Sequence, residues 1–350
     1  MSSTSASAGA EALLRTGLVT ALLCLAGCQP RDTSIERLIP VFGTIVRVEV
    51  MADPATAEAA LDRIEKFYRR IDVDWRSFGP GELGRANEAL ASGQAVELSA
   101  ELAGIVARSL ELRDLSDGLF DPRIGTLIRL WGFDDLAHAT PARPPAEAAI
   151  EAGRRALAAA ELHLDSRQLR ADAPVVLELA GVAKGSALAA GAAILHAAGI
   201  RNAVIVAGGD VLALGRHGTR PWRIGVRDPL GGGVLGRIEL ADGEAVASSG
   251  VYERYFRDGG GRYHHLLDPR TGRPAAGTAG TTVIDPDPEL ANAAAATLLI
   301  GGPASFEELA RRLGIDCALL VTTAGERLMT ACMRQRLQSL ADTPALAPEL

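Results

Sequence analysis

The stretch from residue 175 to residue 210 constrains the fold more than any other part of the chain. Residues 175–179 and 203–206 are short apolar runs, and the alanine-rich segment between them has the length of a helix. A buried strand, a helix and a second buried strand in this order predict a parallel crossover unit, because two parallel strands need a long connection. We therefore expect a sheet that is covered by helices.

The last third of the chain predicts antiparallel sheet instead. Apolar runs at 222–226, 237–240 and 245–249 are short and are separated by glycine-rich turns, a pattern typical of antiparallel strands. The other predicted elements are a strand over 41–50, helices over 55–71, 99–118, 289–300 and 305–313, and a polar, proline-rich surface segment over 134–145. Together these features predict one α+β domain over residues 38–340, with mixed parallel and antiparallel sheets and flanking helices.

An apolar run at 16–26 is followed by Cys28. The run is too short to span a bilayer as a stop-transfer helix but has the size of a signal-peptide core. Small residues before the cysteine are typical of a bacterial lipobox, in which the cysteine thiol is acylated. We therefore predict a lipoprotein signal peptide over 1–27, a tether over 28–37, and a lipid-anchored protein on the periplasmic side of the bacterial cell envelope. The alternatives are an export signal with an incidental cysteine and a short buried helix.

Two cysteines remain in the folded part of the chain, Cys317 and Cys332. An exported protein enters an oxidising compartment, where such a pair can form a disulfide. If Ala324 and Gly325 make a two-residue hairpin loop, the cysteines face each other across two strands with Cα atoms about 5.5 Å apart, within disulfide range. The sequence leaves open whether the two cysteines are bridged or are buried free thiols.

The charged residues exclude one class of partner and single out one lysine. The chain has 36 lysines and arginines against 43 acidic residues, a net charge of −7, and no basic block of the kind that binds a nucleic-acid backbone. Only Lys66 and Lys184 are lysines. Lys184 stands near a predicted helix start, where free N–H groups and the helix dipole favour an anion. We predict either a phosphate contact at Lys184 or a purely structural turn.

Two further segments carry groups that a reaction would need. Residues 208–210 form a Gly-Gly-Asp turn, in which glycine lets the backbone approach a ligand or simply reverse direction. Residues 263–272 contain two adjacent histidines, an aspartate and a threonine. Neighbouring side chains on a strand point to opposite faces, so at most one histidine enters a given site. The alternative is a strand that ends in an ordinary Asp-Pro turn.

In order and residue type, seven motifs resemble the ApbE family of FAD:protein FMN transferases, which are periplasmic flavin-transferring lipoproteins. The resemblance covers nearly the whole mature chain. The matching segments are Phe42-Gly43-Thr44, Glu82-Leu83-Gly84-Arg85-Ala86-Asn87, Phe120-Asp121-Pro122 followed by Leu130-Trp131-Gly132-Phe133, residues 178–186, residues 202–210, residues 247–253 and residues 265–272.

The resemblance implies an ApbE-like fold and an enzyme that binds FAD as a substrate. With Mg²⁺ as cofactor, such an enzyme attaches the FMN half through a phosphoester to a threonine of a partner protein and releases AMP. The implied partner is an acceptor protein of a membrane electron-transfer or respiratory system. The chemistry suits the motifs, because a diphosphate needs N–H donors and positive charge, and hydroxyl attack on phosphorus needs a base.

The resemblance also implies roles for particular residues. His265 is the expected catalytic base, with Asp268 orienting it or binding nearby. The residues expected to bind FAD are Thr44, Asp121, Glu178, Lys184, Gly208, Gly209, Asp210, Ser249 and Thr271. The residues expected at the metal site are Ala183, Asn292 and Ala296.

The chain departs from the family at this expected metal site. Asn292 stands where the family has an aspartate, and Ala296 stands where it has a threonine. Because Mg²⁺ prefers charged oxygen ligands, we expect weaker metal binding or a metal site moved to Asp285 or Asp287. Arg123 replaces another threonine, and it either contacts phosphate in place of the lost metal charge or lies in solvent.

Three functions therefore stay open. The first is a working transferase with a weaker or relocated metal site. The second is a periplasmic lipoprotein that binds FAD and does little chemistry, and the third is a metal-dependent FAD pyrophosphatase with water as the acceptor. AMP release separates the second function from the other two, and the need for an acceptor protein separates the first from the third.

Overall fold

The computed structural model describes residues 34–134 and 143–339. The predicted signal peptide, Cys28 and the first part of the predicted tether lie outside the described residues, as does most of the predicted surface segment over 134–145.

Helices and strands are intermixed along the described chain. The helices are α1 (Pro54–Asp74), α2 (Glu82–Ala91), α3 (Ala100–Leu115), α4 (Gly125–Leu130), α5 (Glu147–Ala159), α6 (Ala180–Ala197), α7 (Pro288–Gly301), α8 (Phe306–Leu313) and α9 (Ala331–Arg336). The strands are β1 (Ser34–Val41), β2 (Thr44–Met51), β3 (Val96–Glu97), β4 (Leu162–Asp165), β5 (Gln168–Ala171), β6 (Ala203–Ala207), β7 (Asp210–Leu214), β8 (Trp222–Arg227), β9 (Val234–Leu240), β10 (Ala245–Gly250), β11 (Tyr255–Asp258), β12 (Gly261–His264), β13 (Leu267–Asp268), β14 (Arg273–Pro274), β15 (Thr278–Asp285), β16 (Cys317–Thr322) and β17 (Arg327–Met329). The helices predicted over 55–71, 99–118, 289–300 and 305–313 correspond to α1, α3, α7 and α8, with ends within three residues of the prediction.

An eight-stranded sheet forms the centre of the molecule, in the order β1-β2-β6-β7-β10-β15-β16-β17. Each neighbouring pair in it is antiparallel. The smaller sheets, β3-β5-β4, β8-β9, β11-β12 and β13-β14, are antiparallel as well. The α+β class is thus confirmed, but the parallel component of the prediction is not found among the strands that the structure describes.

The predicted parallel crossover is wrong. Residues 175–179 do not form a strand, and Val176 makes one isolated parallel bridge to Ile124. A side chain takes the place of a neighbouring strand, because Asn87 accepts a hydrogen bond from the Leu177 N–H at 2.7 Å and donates one to the Leu177 carbonyl at 2.9 Å. The Leu177 backbone is thereby satisfied without a partner strand, and the Val176 carbonyl and the Glu178 N–H pair with the backbone of Gly125 and Pro122. After α6, β6 pairs antiparallel with β2 and β7.

The segment predicted as one strand over 41–50 is a hairpin. Phe42 and Gly43 have φ angles of 58° and 69° and form the two-residue loop between β1 and β2. Such a loop needs positive φ at both central residues, which phenylalanine seldom adopts. The Phe42 N–H donates to the Asp72 carboxylate at 2.9 Å, which helps to hold the turn. Because β1 includes residues 34–37, these residues belong to the sheet and not to the predicted tether.

The inner strands of the central sheet, β6, β7, β10, β15 and β16, are buried on both faces, whereas β1 and β2 expose Leu38 and Ile45. On one face, the largest apolar cluster joins the sheet to α1, α6, α7 and α8. On the other face, the β8–β9 hairpin and α9 pack on the strands, with Trp222 and Met333 buried between them. Among the described helices, α6 alone has the length and composition to cross a membrane. Its Leu188 and Leu195 lie in the largest cluster, as expected for a core helix.

The C-terminal hairpin differs from its predicted register. β16 pairs with β17 so that Leu320 faces Leu328, one residue away from the pairing that the predicted two-residue loop requires. The chain then turns into α9, so Cys332 lies in a helix and not on a strand. Its sulfur is nevertheless bonded to that of Cys317, with the two Cα atoms 5.0 Å apart. Of the two alternatives that the sequence leaves open, the disulfide is the one observed.

Replacing both Cys317 and Cys332 with alanine should lower stability, because the bridge closes a loop between residues 15 positions apart and so restricts the unfolded chain. We expect the free energy of unfolding to fall by about 3 kcal/mol, measured by chemical denaturation. A reductant should destabilise the wild-type protein and leave the double variant unchanged. An identical unfolding midpoint for the two oxidised proteins would contradict this expectation.

Candidate active site

A cavity of about 520 Å³ brings together distant segments of the described chain, and its size is typical of small-molecule sites. Its walls come from the β1–β2 turn, the end of α1, the start of α6, the β6–β7 turn, the end of β10 and the middle of α7. The aromatic rings of Trp75, Phe78, Phe120 and Phe133 contribute to the apolar part of the wall. Charged side chains gather at the remaining part.

Most of the residues expected to bind FAD or a metal meet in this cavity. The predicted residues that line it are Thr44, Asp121, Glu178, Ala183, Lys184, Gly208, Ser249, His265, Asn292 and Ala296. Asp210 is fully buried and pairs with Lys184. Gly209, Asp268 and Thr271 lie outside the cavity lining. Six of the seven motifs, together with Asn292 and Ala296, therefore converge on one site.

Asp210 is held by three donors. The Lys184 Nζ lies 2.6 Å from its Oδ2 and the Asn292 Nδ2 lies 3.0 Å from the same oxygen. The Ser248 N–H donates to Oδ1 at 3.1 Å. A buried carboxylate needs such partners because burial disfavours its charge. The Asn292 Oδ1 is buried too, and it has no hydrogen-bond partner among the residues that the structure describes.

This arrangement depends on how closely α6 approaches α7. A Cβ atom on Gly185 would lie 2.3 Å from the Pro288 carbonyl oxygen and 2.6 Å from the Glu289 Cα. Glycine is required there, since the atoms that a methyl group would meet belong to the backbone and cannot rotate away. Lys184, the preceding residue, and Asn292, one turn further along α7, can then reach the same carboxylate.

His265 follows β12 and is held by the backbone of residue 254. The His265 backbone N–H donates to the Arg254 carbonyl at 3.1 Å, and the ring Nδ1 lies 3.3 Å from the same oxygen. A carbonyl oxygen can only accept, so Nδ1 carries the proton and Nε2 is left as an acceptor. Burial, reinforced by the positive charge of Arg254, lowers the pKa of His265 to about 3. The ring is therefore neutral at neutral pH.

The other predictions for this segment have different outcomes. His264 points away from the cavity, with its Nε2 2.9 Å from a backbone carbonyl oxygen, as the alternation along a strand predicts. The predicted pairing of Asp268 with His265 is wrong, because the Asp268 carboxylate accepts hydrogen bonds from the backbone and guanidinium of Arg270. Thr271 donates to the Asp268 carbonyl at 3.5 Å. These contacts hold a turn and do not orient the histidine.

Arg123 is buried and lies outside the cavity lining. Its guanidinium donates to the two carboxylate oxygens of Asp121 at 2.8 and 2.7 Å and to the Ala160 carbonyl at 2.5 Å. Both sequence interpretations of Arg123, a phosphate contact and a solvated side chain, are therefore wrong. The Asp121 carboxylate lines the cavity but is already paired.

The alternative metal site at Asp285 and Asp287 is also wrong. Asp287 caps α7 by accepting from the Glu289 and Leu290 N–H groups, and its other oxygen pairs with Arg108. Asp285 accepts from the Asp287 N–H at 2.8 Å. Neither aspartate lines the cavity. Within residues 34–134 and 143–339, there is no cluster of three or more His, Cys, Asp or Glu side chains suited to a metal.

The sequence does not indicate Arg254 as a site residue, yet it lines the cavity. Its guanidinium donates to the Phe133 carbonyl and has its Cζ 6.0 Å from the centroid of the Phe133 ring. Glu178 lies in the same wall, and burial raises the pKa of its carboxyl, an effect that the charge of Arg254 opposes. Arg254 directly follows the 247–253 motif, but that motif does not determine which way the next side chain points.

The fold and the cavity together define a class of protein. It is an α+β protein with a small-molecule cavity in which three cations, Arg76, Lys184 and Arg254, accompany a neutral histidine. Such a site suits an anionic ligand and a reaction that removes a proton. The sequence matches the ApbE family over residues 42–319, and the chain belongs to that family.

Individual relatives agree with this assignment. The chain is 39% identical over 344 residues to the FAD:protein FMN transferase of Rhodobacter capsulatus, a match that covers 95% of this chain and 65% of that protein. It is 28% identical over 314 residues to the FAD:protein FMN transferase of Vibrio cholerae, a match that covers 87% of this chain and 92% of that protein. The chain thus spans just under two thirds of the length of the first relative and nearly all of the second.

Solved structures confirm the predicted ApbE-like fold. The ApbE protein of Thermotoga maritima matches with a TM-score of 0.80 at 28% identity, over 88% of this chain and 100% of that one. The flavin transferase ApbE of Vibrio cholerae matches with a TM-score of 0.77 at 25% identity, over 87% of this chain and 99% of that one.

Gly185→Ala should destabilise the protein, because the added methyl group would meet the backbone of α7. We expect the free energy of unfolding to fall by about 1–3 kcal/mol, measured by chemical denaturation. Gly104→Ala in α3 is the matched control, since no described atom lies within 4 Å of the added methyl group. The free energy of unfolding of Gly104→Ala should rise by about 0.5–1 kcal/mol. Equal effects of the two substitutions would show that the contact between the helices is not restrictive.

Proposed function

We propose that the protein is an FAD:protein FMN transferase. It binds FAD in the cavity, passes the FMN half to a threonine hydroxyl of an acceptor protein and releases AMP. The observation that carries this proposal is a half-buried, neutral His265 in the same cavity as Lys184. The names of the relatives, FAD:protein FMN transferase and flavin transferase ApbE, support the choice of substrate and acceptor.

In the transfer step, the threonine oxygen attacks the phosphorus of the FMN half. A new O–P bond forms while the bond from that phosphorus to the bridging oxygen breaks, and AMP leaves with the bridging oxygen. The Nε2 atom of His265 takes the hydroxyl proton, because the contact of Nδ1 with the Arg254 carbonyl fixes the tautomer. A bound diphosphate raises the basicity of the ring, since nearby negative charge favours its protonated form.

The start of α6 provides the diphosphate with positive charge and N–H donors. The Lys184 side chain is 31% exposed although its Nζ is paired with Asp210, so it remains accessible to a ligand in the cavity. Gly181 and Ala183 line the cavity beside it, and the first N–H groups of a helix attract anions. FAD therefore binds with its diphosphate towards this helix start.

We propose Mg²⁺ as the cofactor, held by few protein ligands. The Asn292 Oδ1 suits a cation because it is buried at the cavity without a hydrogen-bond partner in the described part of the chain. Ala183 and Ala296 line the same wall but offer only backbone oxygens, and Asp210 is already paired with Lys184. This donor set fits a Mg²⁺ ion that keeps several waters and binds substrate phosphates. When bound, the ion neutralises charge that builds up on phosphate oxygens.

We also propose that the acceptor belongs to a membrane electron-transfer or respiratory system, and that the protein is a periplasmic lipoprotein anchored through Cys28. The apolar run before Cys28 supports the anchor. The disulfide between Cys317 and Cys332 suits an oxidising compartment. Mass spectrometry of the mature N-terminal peptide tests the anchor, because an acylated peptide must begin at Cys28.

His265→Gln should abolish transfer while FAD still binds. Glutamine cannot take up a proton at neutral pH, so we expect the rate to fall by about 10²–10⁴-fold. The assay incubates a soluble form that starts after Cys28 with FAD, Mg²⁺ and a flavin-acceptor domain, and the intact mass of the acceptor reports the added FMN. His264→Gln is the matched control, because an amide can replace the His264 contact with a backbone carbonyl.

A near wild-type rate in His265→Gln would rule out the base assignment. FMN and AMP that form without an acceptor would indicate a pyrophosphatase instead, and bound FAD without AMP release would indicate a binding protein. A family transferase that modifies the same acceptor serves as the positive control.

Asn292→Asp should strengthen metal binding in the absence of FAD. The Asn292 Nδ2 now lies 3.0 Å from the Asp210 Oδ2, and two carboxylates at that separation repel each other unless a cation lies between them. We expect the affinity for Mg²⁺ or Mn²⁺ to rise about tenfold or more, equivalent to ~1.4 kcal/mol, in a calorimetric titration. The metal-free variant should also unfold at a lower temperature than the wild type.

Asn202→Asp is the matched control for this charge. Asn202 lies outside the cavity lining, and its side-chain oxygen accepts from the Arg216 N–H, a contact that aspartate can keep. The metal affinity of Asn202→Asp should equal that of the wild type. An Asn292→Asp variant with wild-type metal affinity would refute the placement of the metal at Asn292.

A further inference from the structure

Arg254 is a cation in the cavity wall, and the proposed transfer step assigns no role to its side chain. It immediately precedes β11 and lines the cavity together with His265 and Glu178. Its guanidinium has its Cζ 6.0 Å from the Phe133 ring centroid and donates to the Phe133 carbonyl. A ring face and a carbonyl together restrict both the position and the orientation of a guanidinium. The group is therefore held in place before any ligand binds.

The charge of Arg254 is placed differently from that of Lys184. Lys184 is paired at 2.6 Å with a buried carboxylate, which balances much of its charge. The charge of Arg254 acts on two titratable groups of the cavity wall, His265 and Glu178. Burial raises the pKa of the Glu178 carboxyl, and the Ala180 N–H donates to that carboxyl at 2.9 Å. Arg254 places a positive charge on the side of the cavity where the histidine lies.

The backbone of Arg254 holds the proposed base. Its carbonyl accepts the His265 N–H at 3.1 Å and lies 3.3 Å from the ring Nδ1. The His265 ring also stands edge-on to Phe133, with ring centroids 6.3 Å apart. Arg254 therefore affects both the cation and the proposed base. Its guanidinium is held by Phe133, and its carbonyl holds His265.

We propose that Arg254 is a further catalytic residue, whose guanidinium binds the oxygens of the phosphoryl group that is transferred while its carbonyl holds His265 for proton removal. The inference rests on the proposed transferase function. The guanidinium gives up no proton: it donates hydrogen bonds while the O–P bond to threonine forms and the bond to the bridging oxygen breaks. The hydroxyl proton passes to His265, and AMP leaves with the bridging oxygen.

Arginine is suited to this task for two physical reasons. Its planar fork of N–H groups matches two oxygens of one phosphoryl group, which a lysine ammonium cannot do. Fixed donors also stabilise charge that grows in the transition state more than charge already present in the substrate. The Arg254 side chain should accordingly affect the rate of transfer more than the affinity for FAD.

The test compares Arg254→Met, Arg254→Lys and Arg257→Met. Arg257 is the matched control, because it lies on β11 outside the cavity lining, with its Cζ 5.8 Å from the Tyr255 ring centroid. We expect Arg254→Met to lower kcat for FMN transfer by about 100-fold with a smaller change in KM for FAD. Arg254→Lys should recover part of the rate, and Arg257→Met should match the wild type.

The pH profile provides a readout that a purely structural role would not change. The charged or titratable groups that act on His265 are Arg254, His264 and Lys184. The positive charge of Arg254 makes His265 harder to protonate, so its loss raises the pKa of the histidine. A protonated His265 cannot act as a base. The acidic limb of the rate profile should therefore move to higher pH in Arg254→Met and stay in place in Arg254→Lys.

The ³¹P NMR spectrum of bound FAD gives a readout that does not depend on transfer. Contact with Arg254 predicts that a diphosphate resonance shifts in Arg254→Met relative to the wild type, and stays unchanged in Arg257→Met. A slower Arg254→Met variant with an unmoved acidic limb and an unmoved resonance would mean that Arg254 only braces Phe133, and this would overturn the proposal. Wild-type rate and pH profile in Arg254→Met would overturn it as well.

The proposed function can fail separately from this inference. If the wild-type protein binds FAD but modifies no acceptor, the transferase proposal fails, and the ³¹P comparison still decides whether Arg254 contacts the diphosphate. If the wild-type protein does not bind FAD at all, both proposals are wrong.

Discussion

The backbone contact between α6 and α7 is the constraint on which the site depends. Both helices are rich in alanine, and at Gly185 there is no space for a methyl group before the backbone of α7 is met. The Ser186 hydroxyl lies 2.6 Å from a carboxylate oxygen of Glu289, which helps to fix how the two helices align. Because that alignment is fixed, Lys184 and Asn292 reach one carboxylate from two different helices. The polar wall of the cavity is thus a consequence of close helix packing.

A chain with a net charge of −7 must prevent its own carboxylates from repelling an anionic ligand. The two buried aspartates near the cavity are paired, Asp210 with Lys184 and Asp121 with Arg123. Breaking one such buried pair costs about 3–5 kcal/mol, since the remaining charge is left uncompensated. The pairs therefore cannot easily rearrange when a ligand enters. The pairing of these two aspartates reduces the negative charge that an anionic ligand would meet at the cavity.

The features that the sequence predicts correctly are those that leave local patterns. The helix predicted over 289–300 forms α7, and six of the seven motifs contribute residues to the cavity lining. The errors arise where one distant partner decides a local structure. Asn87 hydrogen-bonds to the backbone of Leu177 from 90 positions away and so replaces the expected strand partner. Arg254 lines the cavity, and its guanidinium is hydrogen-bonded to the carbonyl of Phe133, 121 positions away. Neither partner can be recognised from nearby residues.

The amide oxygen of Asn292 connects ligand binding to stability. A buried polar atom that lacks a hydrogen-bond partner lowers stability by about 1–3 kcal/mol, and the Asn292 Oδ1 has no such partner among the described residues. A ligand that donates to this oxygen, or a cation that coordinates it, recovers the lost free energy and stabilises the folded state by mass action. The free protein therefore leaves unsatisfied a buried atom that a bound ligand can satisfy, and folding and binding are coupled through one amide group.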